Sequence, residues 1–279
     1  MKQLPKHYKR IVIKIGSSLF CSGSKLDCAL VDGLAGQIAD LMKQGNEVIV
    51  VSSGAIALGM SVLKLNSRPK ELANLQATAA VGQHELMDVY RRAFKARQLN
   101  CAQLLLTWED FDERLRYLNA KNTLDTLLKL KVVPVINEND TISTDEIKFG
   151  DNDRLSALVA VLTAADLLVI LSDVDGLLDK DKKVISDVDR ITPAIKAFAC
   201  PTKNKTCVGG MVTKIEAAKI AVNSNIPCKI TNGRKDNSII DSVTGFASGT
   251  TFHPSAYKPL GVKARWIASR RHRYSLRKK

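Results

Sequence analysis

The 279-residue chain is 45% hydrophobic and 25% charged, a globular composition that excludes disorder and collagen-like repeats and suffices for one large core or two small ones. Lys and Arg number 42 against 28 Asp and Glu, a formal charge of +14, but the excess is concentrated at the ends: +4 in the first ten residues, +9 from Lys258 onward and only +1 over residues 11–257. A near-neutral body lacks the broad basic face that tracks a phosphodiester backbone, and the tail, with Tyr274 as its one tyrosine, lacks regular aromatic interleaving.

Six cysteines show no C-x-x-C spacing and only four histidines are present, so no protein-held metal is expected. No apolar run approaches the ~20 residues of a membrane span, and the first residues lack the apolar stretch of a secretory signal. The expectation is a cytoplasmic protein with no membrane partner and with reduced, buried thiols.

The first strand is RIVIKI (10–15), which runs into Lys14-Ile15-Gly16-Ser17-Ser18. Glycine there lets the backbone approach an anion, and the lysine supplies a point charge for a phosphoryl group. Residues 26–44 read as a helix, with Leu30, Leu34, Ile38 and Leu41 on one face, Asp27 as cap and Gly45 as stop. The second strand, EVIVVS (47–52), ends in Ser52-Ser53-Gly54-Ala55 before another helix, a geometry that presents helix N-terminal amides to a carboxylate. A helix over 71–97, a strand over 102–106 and a helix over 115–130 follow.

VVPVI (132–136) leads into Asn137-Glu138-Asn139-Asp140-Thr141, and an excursion over 141–149 leads to Lys148-Phe149-Gly150-Asp151-Asn152-Asp153, before a helix over 153–165 in which Asp153 sits where an N-cap is wanted. The strand LLVILS (167–172) ends in Ser172-Asp173-Val174-Asp175-Gly176, a second hairpin-like excursion covers 176–191, and Gly209-Gly210-Met211-Val212-Thr213-Lys214 opens a helix over 211–224 whose free amides and lysine suit polyphosphate. A last strand covers 228–231. Four of the strands are apolar at nearly every position, as expected when helices cover both faces of a sheet. The alternation implies an α/β fold, a three-layer αβα sandwich around a mostly parallel sheet, with ligands at the carboxyl ends of its strands.

The chain has no P-loop, no G-x-G-x-x-G and no protein-kinase signature, and no histidine stands beside a nucleophile. A nucleotide enzyme with this sequence would have to grip its phosphates with two separated lysines and glycine-rich turns.

The series IKIGSS, VVSSGAIALG, PVINENDTIS, KFGDNDRLSA, LSDVDGL and GGMVTK, with AAVGQ (79–83) and ARWI (264–267), resembles the amino acid kinase family over roughly residues 10–266, and within it the branch whose acceptor is L-glutamate. The resemblance implies transfer of the ATP γ-phosphoryl group to the side-chain carboxylate of L-glutamate, at the start of proline synthesis, with Mg²⁺. It assigns charge stabilisation to Lys14 and Lys214 and the holding of both lysines to Asp153. Glutamate binding falls to Ser53, Asp140 and Asn152, and ATP binding to Lys14, Ser172, Asp173 and the segment Val208, Gly209, Gly210, Met211 and Lys214. A carboxylate acceptor needs no general base, in keeping with the missing histidine.

The resemblance further implies a homo-oligomer and inhibition by proline through the stretch 63–75, which contains Pro69. Val208 stands where similar enzymes usually have threonine. The expected organisation is one kinase domain over 1–266 and a basic tail over 267–279, without the RNA-modification-type domain that many such kinases carry. Two alternatives stay open: a related kinase acting on acetylglutamate, aspartate or uridylate, and a nucleic-acid-binding regulatory protein on the same scaffold.

Overall fold

A computed structural model describes residues 8–22, 25–142, 152–199, 210–246, 248–255, 261, 263, 264, 266 and 267. Val208, Gly209, most of the excursion over 141–149 and residues 268–279 of the basic tail lie outside them.

Strand β1 (Arg10–Ile15) leads through a short 3-10 turn (Ser17–Leu19) into the two-residue strands β2 (Cys21–Ser22) and β3 (Lys25–Leu26), which pair antiparallel. Helix α1 (Cys28–Lys43) follows, capped by Asp27 accepting from the Leu30 N–H at 3.1 Å and ended at Gly45, whose φ of +92° suits glycine. Then come β4 (Glu47–Ser52), α2 (Ala55–Val62), α3 (Leu72–Lys95), β5 (Asn100–Leu106), α4 (Glu109–Asp112), α5 (Arg114–Lys129) and β6 (Val132–Glu138). Beyond the second gap in the described residues lie α6 (Asn152–Thr163), β7 (Leu167–Ser172), β8 (Asp187–Val188), α7 (Pro193–Phe198), α8 (Met211–Asn223), β9 (Cys228–Asn232), α9 (Ser238–Thr244) and β10 (Thr250–Phe252).

The large sheet has eight strands in the order β5-β6-β4-β1-β7-β9-β10-β8 and is parallel except where β10 runs against β9. Successive residues of β1 feed opposite cores: Ile11, Ile13 and Ile15 pack with α1 and α3, whereas Val12 packs with α5, α6 and α8. Lys14 shares the face of Val12, so its side chain leaves the sheet toward α6 and α8. This is the expected three-layer sandwich.

The register aligns the functional ends. Ile15 lies opposite Ser52 of β4 on one side and Leu171 of β7 on the other, and Ser172 opposes Asn232. The strands following β1 in the chain go to one side of it and those from β7 onward to the other, which makes the carboxyl end of β1 a topological switch point, the usual ligand crevice of such sheets.

The excursion after β7 forms the anticipated hairpin, with Leu178 bridged antiparallel to Val184 and the Ile185 N–H donating to Leu177 O at 2.8 Å. The thiol expectation needs correcting: Cys28 is exposed and Cys101 half-buried, and among the described free cysteines only Cys228 is buried. Among the described residues no helix is long and apolar enough to cross a membrane.

Candidate active site

Asp153 stands in the first turn of α6, a helix buried almost all round, and its carboxylate gathers three groups. Lys14 Nζ forms an ion pair with Oδ1 at 2.5 Å, Lys214 Nζ meets Oδ2 at 3.3 Å, and the Thr213 hydroxyl donates to Oδ2 at 2.7 Å. Burial opposes ionisation of Asp153, but the charges of Lys14 and Lys214 and the hydrogen bonds outweigh it and hold the carboxyl at about 2. The N-cap expected of Asp153 is not what forms, because α6 already includes Asn152 and the carboxylate is drawn to the lysines. Two positive charges on one negative leave a net positive charge at the switch point, and the cluster is nearly closed to solvent, where charges act strongly on a bound anion.

Lys14 arrives from β1 and Lys214 from the first turn of α8, whose start is the left-handed Gly210 (φ +71°). Lys214 Nζ also donates to Gly210 O at 3.4 Å, which ties the amine back to the turn that precedes its helix.

On the β4 side, Asn152 Nδ2 donates to Ser53 Oγ at 3.1 Å and to Asn137 Oδ1 at 3.0 Å. Asn137 Nδ2 in turn donates to Gln83 Oε1 at 2.8 Å. Asn152 Oδ1 is buried and has no hydrogen-bond partner among the described residues. Asp140, beyond the end of β6, has its carboxyl pushed up to about 6 by burial, partly countered by the charge of Arg68 in the loop between α2 and α3. Gly54, with φ of +116°, turns the chain from β4 into α2, whose first amides face the same end of the sheet.

Helix α2 is held against α3 by backbone contact. A Cβ on Gly59 would lie 1.9 Å from Thr78 O, and one on Gly82 would lie 1.8 Å from Ala55 O, so neither position admits a side chain. The glycine of AAVGQ is thereby explained as close helix packing that fixes the start of α2 next to Ser53.

On the β7 side, a cavity of about 870 Å³ opens between the hairpin, α7 and α8. Ser172, Asp173, Gly210, Met211 and Lys214 line it together with apolar Phe198. Ser172 Oγ donates to Asp173 Oδ1 at 3.1 Å at the end of β7.

The anticipated residues therefore fall into three adjoining groups. Lys14, Asp153 and Lys214 touch; Ser53 and Asn152 touch, with Asp140 at the neighbouring strand end; Ser172, Asp173, Gly210, Met211 and Lys214 share one cavity. Gln83, Asn137 and Thr213 are not singled out by the sequence reading, though each lies inside a quoted motif (AAVGQ, INEND, GGMVTK) whose polar positions would have been the signal.

Residues 9–232 match the model of the amino acid kinase family. The chain is 47% identical over 266 residues to the glutamate 5-kinase of Caldanaerobacter subterraneus subsp. tengcongensis, with 93% of this chain and 71% of that protein covered. It is 48% identical over 272 residues to glutamate 5-kinase 1 of Mesorhizobium japonicum, with 94% and 71% covered. N-acetylglutamate synthase from Neisseria gonorrhoeae, solved with coenzyme A and L-arginine, is similar with a TM-score of 0.60 and 16% identity; the match takes in 89% of this chain but only 62% of that one, and the likeness is one of fold.

Proposed function

The chain belongs to the amino acid kinase family, and from that premise we propose how the sheet edge works: the cavity beside β7 holds ATP, the pocket beside β4 holds L-glutamate, and the two lysines serve the transfer between them. The enzyme is a phosphotransferase that moves the γ-phosphoryl group of ATP to the side-chain carboxylate of L-glutamate, giving L-glutamyl 5-phosphate for proline biosynthesis. The observation that carries the division of labour is the Lys14–Asp153–Lys214 cluster, set at the switch point between the two binding regions.

In this reading Asp140 and Asn152 Oδ1 receive the α-ammonium group of glutamate, a donor-only cation, while Ser53 and the first amides of α2 receive its α-carboxylate. The γ-carboxylate is already a nucleophile at neutral pH, so the protein needs to place it in line with the phosphoryl group and to stabilise charge. Lys14 and Lys214 do the latter, each presenting an ammonium to oxygens of the transferring group, and Asp153 holds both amines in place.

Among the described residues no set of three His, Cys, Asp or Glu side chains could cage a metal, and the Asp153 carboxylate is already engaged by two lysines. Mg²⁺ would enter on the phosphates of ATP, and Asp173 and Asp179, the carboxylates that line the cavity, would be available to hold its waters. When bound, Mg²⁺ neutralises phosphate charge. Val208 and Gly209 extend the nucleotide segment in the same proposal.

Three further parts of the proposal come with the family reading: a kinase domain over 1–266 with the tail 267–279 outside it, a cytoplasmic homo-oligomer, and inhibition by proline. The last would act through the loop between α2 and α3, whose Arg68 brings its charge to bear on Asp140 of the proposed glutamate pocket. A coupled ADP-release assay with L-glutamate, N-acetylglutamate, L-aspartate and uridylate as acceptors tests the reading. Turnover is expected with glutamate and is suppressed by added proline; turnover with another acceptor and none with glutamate would overturn it.

A further inference from the structure

Three side-chain amides beside the glutamate pocket form a chain whose polarity one backbone group sets. The Glu138 N–H, which cannot turn round, donates to Asn137 Oδ1 at 2.9 Å, and the same oxygen receives Asn152 Nδ2 at 3.0 Å. The Asn137 NH2 must then face the opposite way, toward α3, where Gln83 Oε1 accepts it at 2.8 Å. Asn137 is 1% exposed, so an NH2 deprived of that acceptor would be driven to find another by rotating, and its oxygen would swing away from Asn152. With Asn137 held, the Asn152 NH2 is used by Asn137 and Ser53, and Oδ1 is the atom left over, buried and without a partner among the described residues.

We propose that Gln83 is a positioning residue of the glutamate site, which by accepting from Asn137 holds Asn152 with its carbonyl oxygen presented to the substrate's α-ammonium group. The inference rests on the glutamate reading above. Its chemical consequence is selectivity for a donor-only group at the substrate's α-carbon: an Asn152 free to turn would present NH2 to the ammonium and lose the attraction, whereas an α-hydroxyl, able to donate or accept, would tolerate either orientation.

The test is steady-state kinetics of Gln83→Met, which keeps length and removes the acceptor, and of Gln83→Glu, which keeps an acceptor, with melting temperatures for both. Gln83→Met is expected to raise KM for glutamate about tenfold, the worth of one well-placed hydrogen bond, while kcat and KM for ATP stay within about twofold. Its kcat/KM preference for L-glutamate over (S)-2-hydroxyglutarate narrows, and Gln83→Glu restores both properties. An unchanged glutamate KM, an equal rise in both KM values, loss of fold in both variants, or a Gln83→Glu enzyme as impaired as Gln83→Met would overturn the proposal. Absence of glutamate-dependent ADP release from the unsubstituted protein is a separate result, which overturns the glutamate reading itself.

Discussion

Lys14 Nζ lies 2.5 Å from Asp153 Oδ1 with both side chains almost fully buried, a pairing of the central strand with the first turn of α6. A carboxyl held at about 2 by its lysine partners carries no proton at neutral pH and is too weak a base to take one. Asp153 is therefore a counter-ion to two ammonium groups, and in the proposed mechanism the chemistry rests on those groups rather than on proton transfer.

In the proposed mechanism, replacing Lys14 or Lys214 by Ala removes one of the two charges that face the transferring group. The expected loss in kcat is about 100- to 1000-fold with KM for glutamate changed little, since the interaction is made in the transition state. Initial-rate measurements at saturating ATP check this.

Asp153→Asn leaves two buried ammonium groups without their shared counter-charge and is expected to cost about 3 kcal/mol of stability, read as a lower melting temperature. Part of that loss returns with a non-hydrolysable ATP analogue, whose phosphates supply negative charge to the lysines. The depressed pKa fixes the sign of the acid limb. The stabilisation from Asp153 is complete above the ordinary carboxylate value and is lost as pH falls from about 4 toward 2, about 2 kcal/mol in all, so the Asn variant shows a flatter stability profile over that window.

Asp140, raised to about 6, behaves oppositely in function. In the proposed pocket it binds the substrate ammonium only when ionised, so kcat/KM for glutamate should rise with pH through a midpoint near 6 and level off above it. Asp140→Asn is expected to lower the plateau and abolish the limb; a profile with the same midpoint in that variant would assign the ionisation elsewhere.

The Gly82–Ala55 contact ties packing to binding. A methyl on Gly82 would fall 1.8 Å from Ala55 O, so α2 and α3 must separate to admit it. Gly82→Ala should therefore lower stability by about 1–3 kcal/mol and raise KM for glutamate by shifting the turn after Ser53, measured by thermal melts and initial rates.

Much of this architecture is legible in the chain because its strands are buried on both faces: RIVIKI, EVIVVS and LLVILS are continuous apolar runs, and the structure places them at the expected residues, Arg10–Ile15, Glu47–Ser52 and Leu167–Ser172. The far edge is not legible, because β8 and β10 are only two and three residues long and pair with partners set by tertiary packing rather than by any local period. Within the site, Lys14 and Lys214 stand out because each follows or precedes a glycine turn. The Gln83–Asn137–Asn152 chain does not, since amide-to-amide hydrogen bonds between α3, β6 and α6 leave no spacing in the sequence, and Gln83 by itself reads as one more polar residue on a helix.

The most direct measurement is capture of the acyl phosphate. The unsubstituted protein, given ATP, Mg²⁺, L-glutamate and hydroxylamine, should form γ-glutamyl hydroxamate in step with ADP release, and the Lys14→Ala and Lys214→Ala proteins should form it at the same reduced rate at which they release ADP. ADP release without hydroxamate, or hydroxamate formed at an undiminished rate by either variant, would contradict phosphoryl transfer to the glutamate carboxylate between the two lysines.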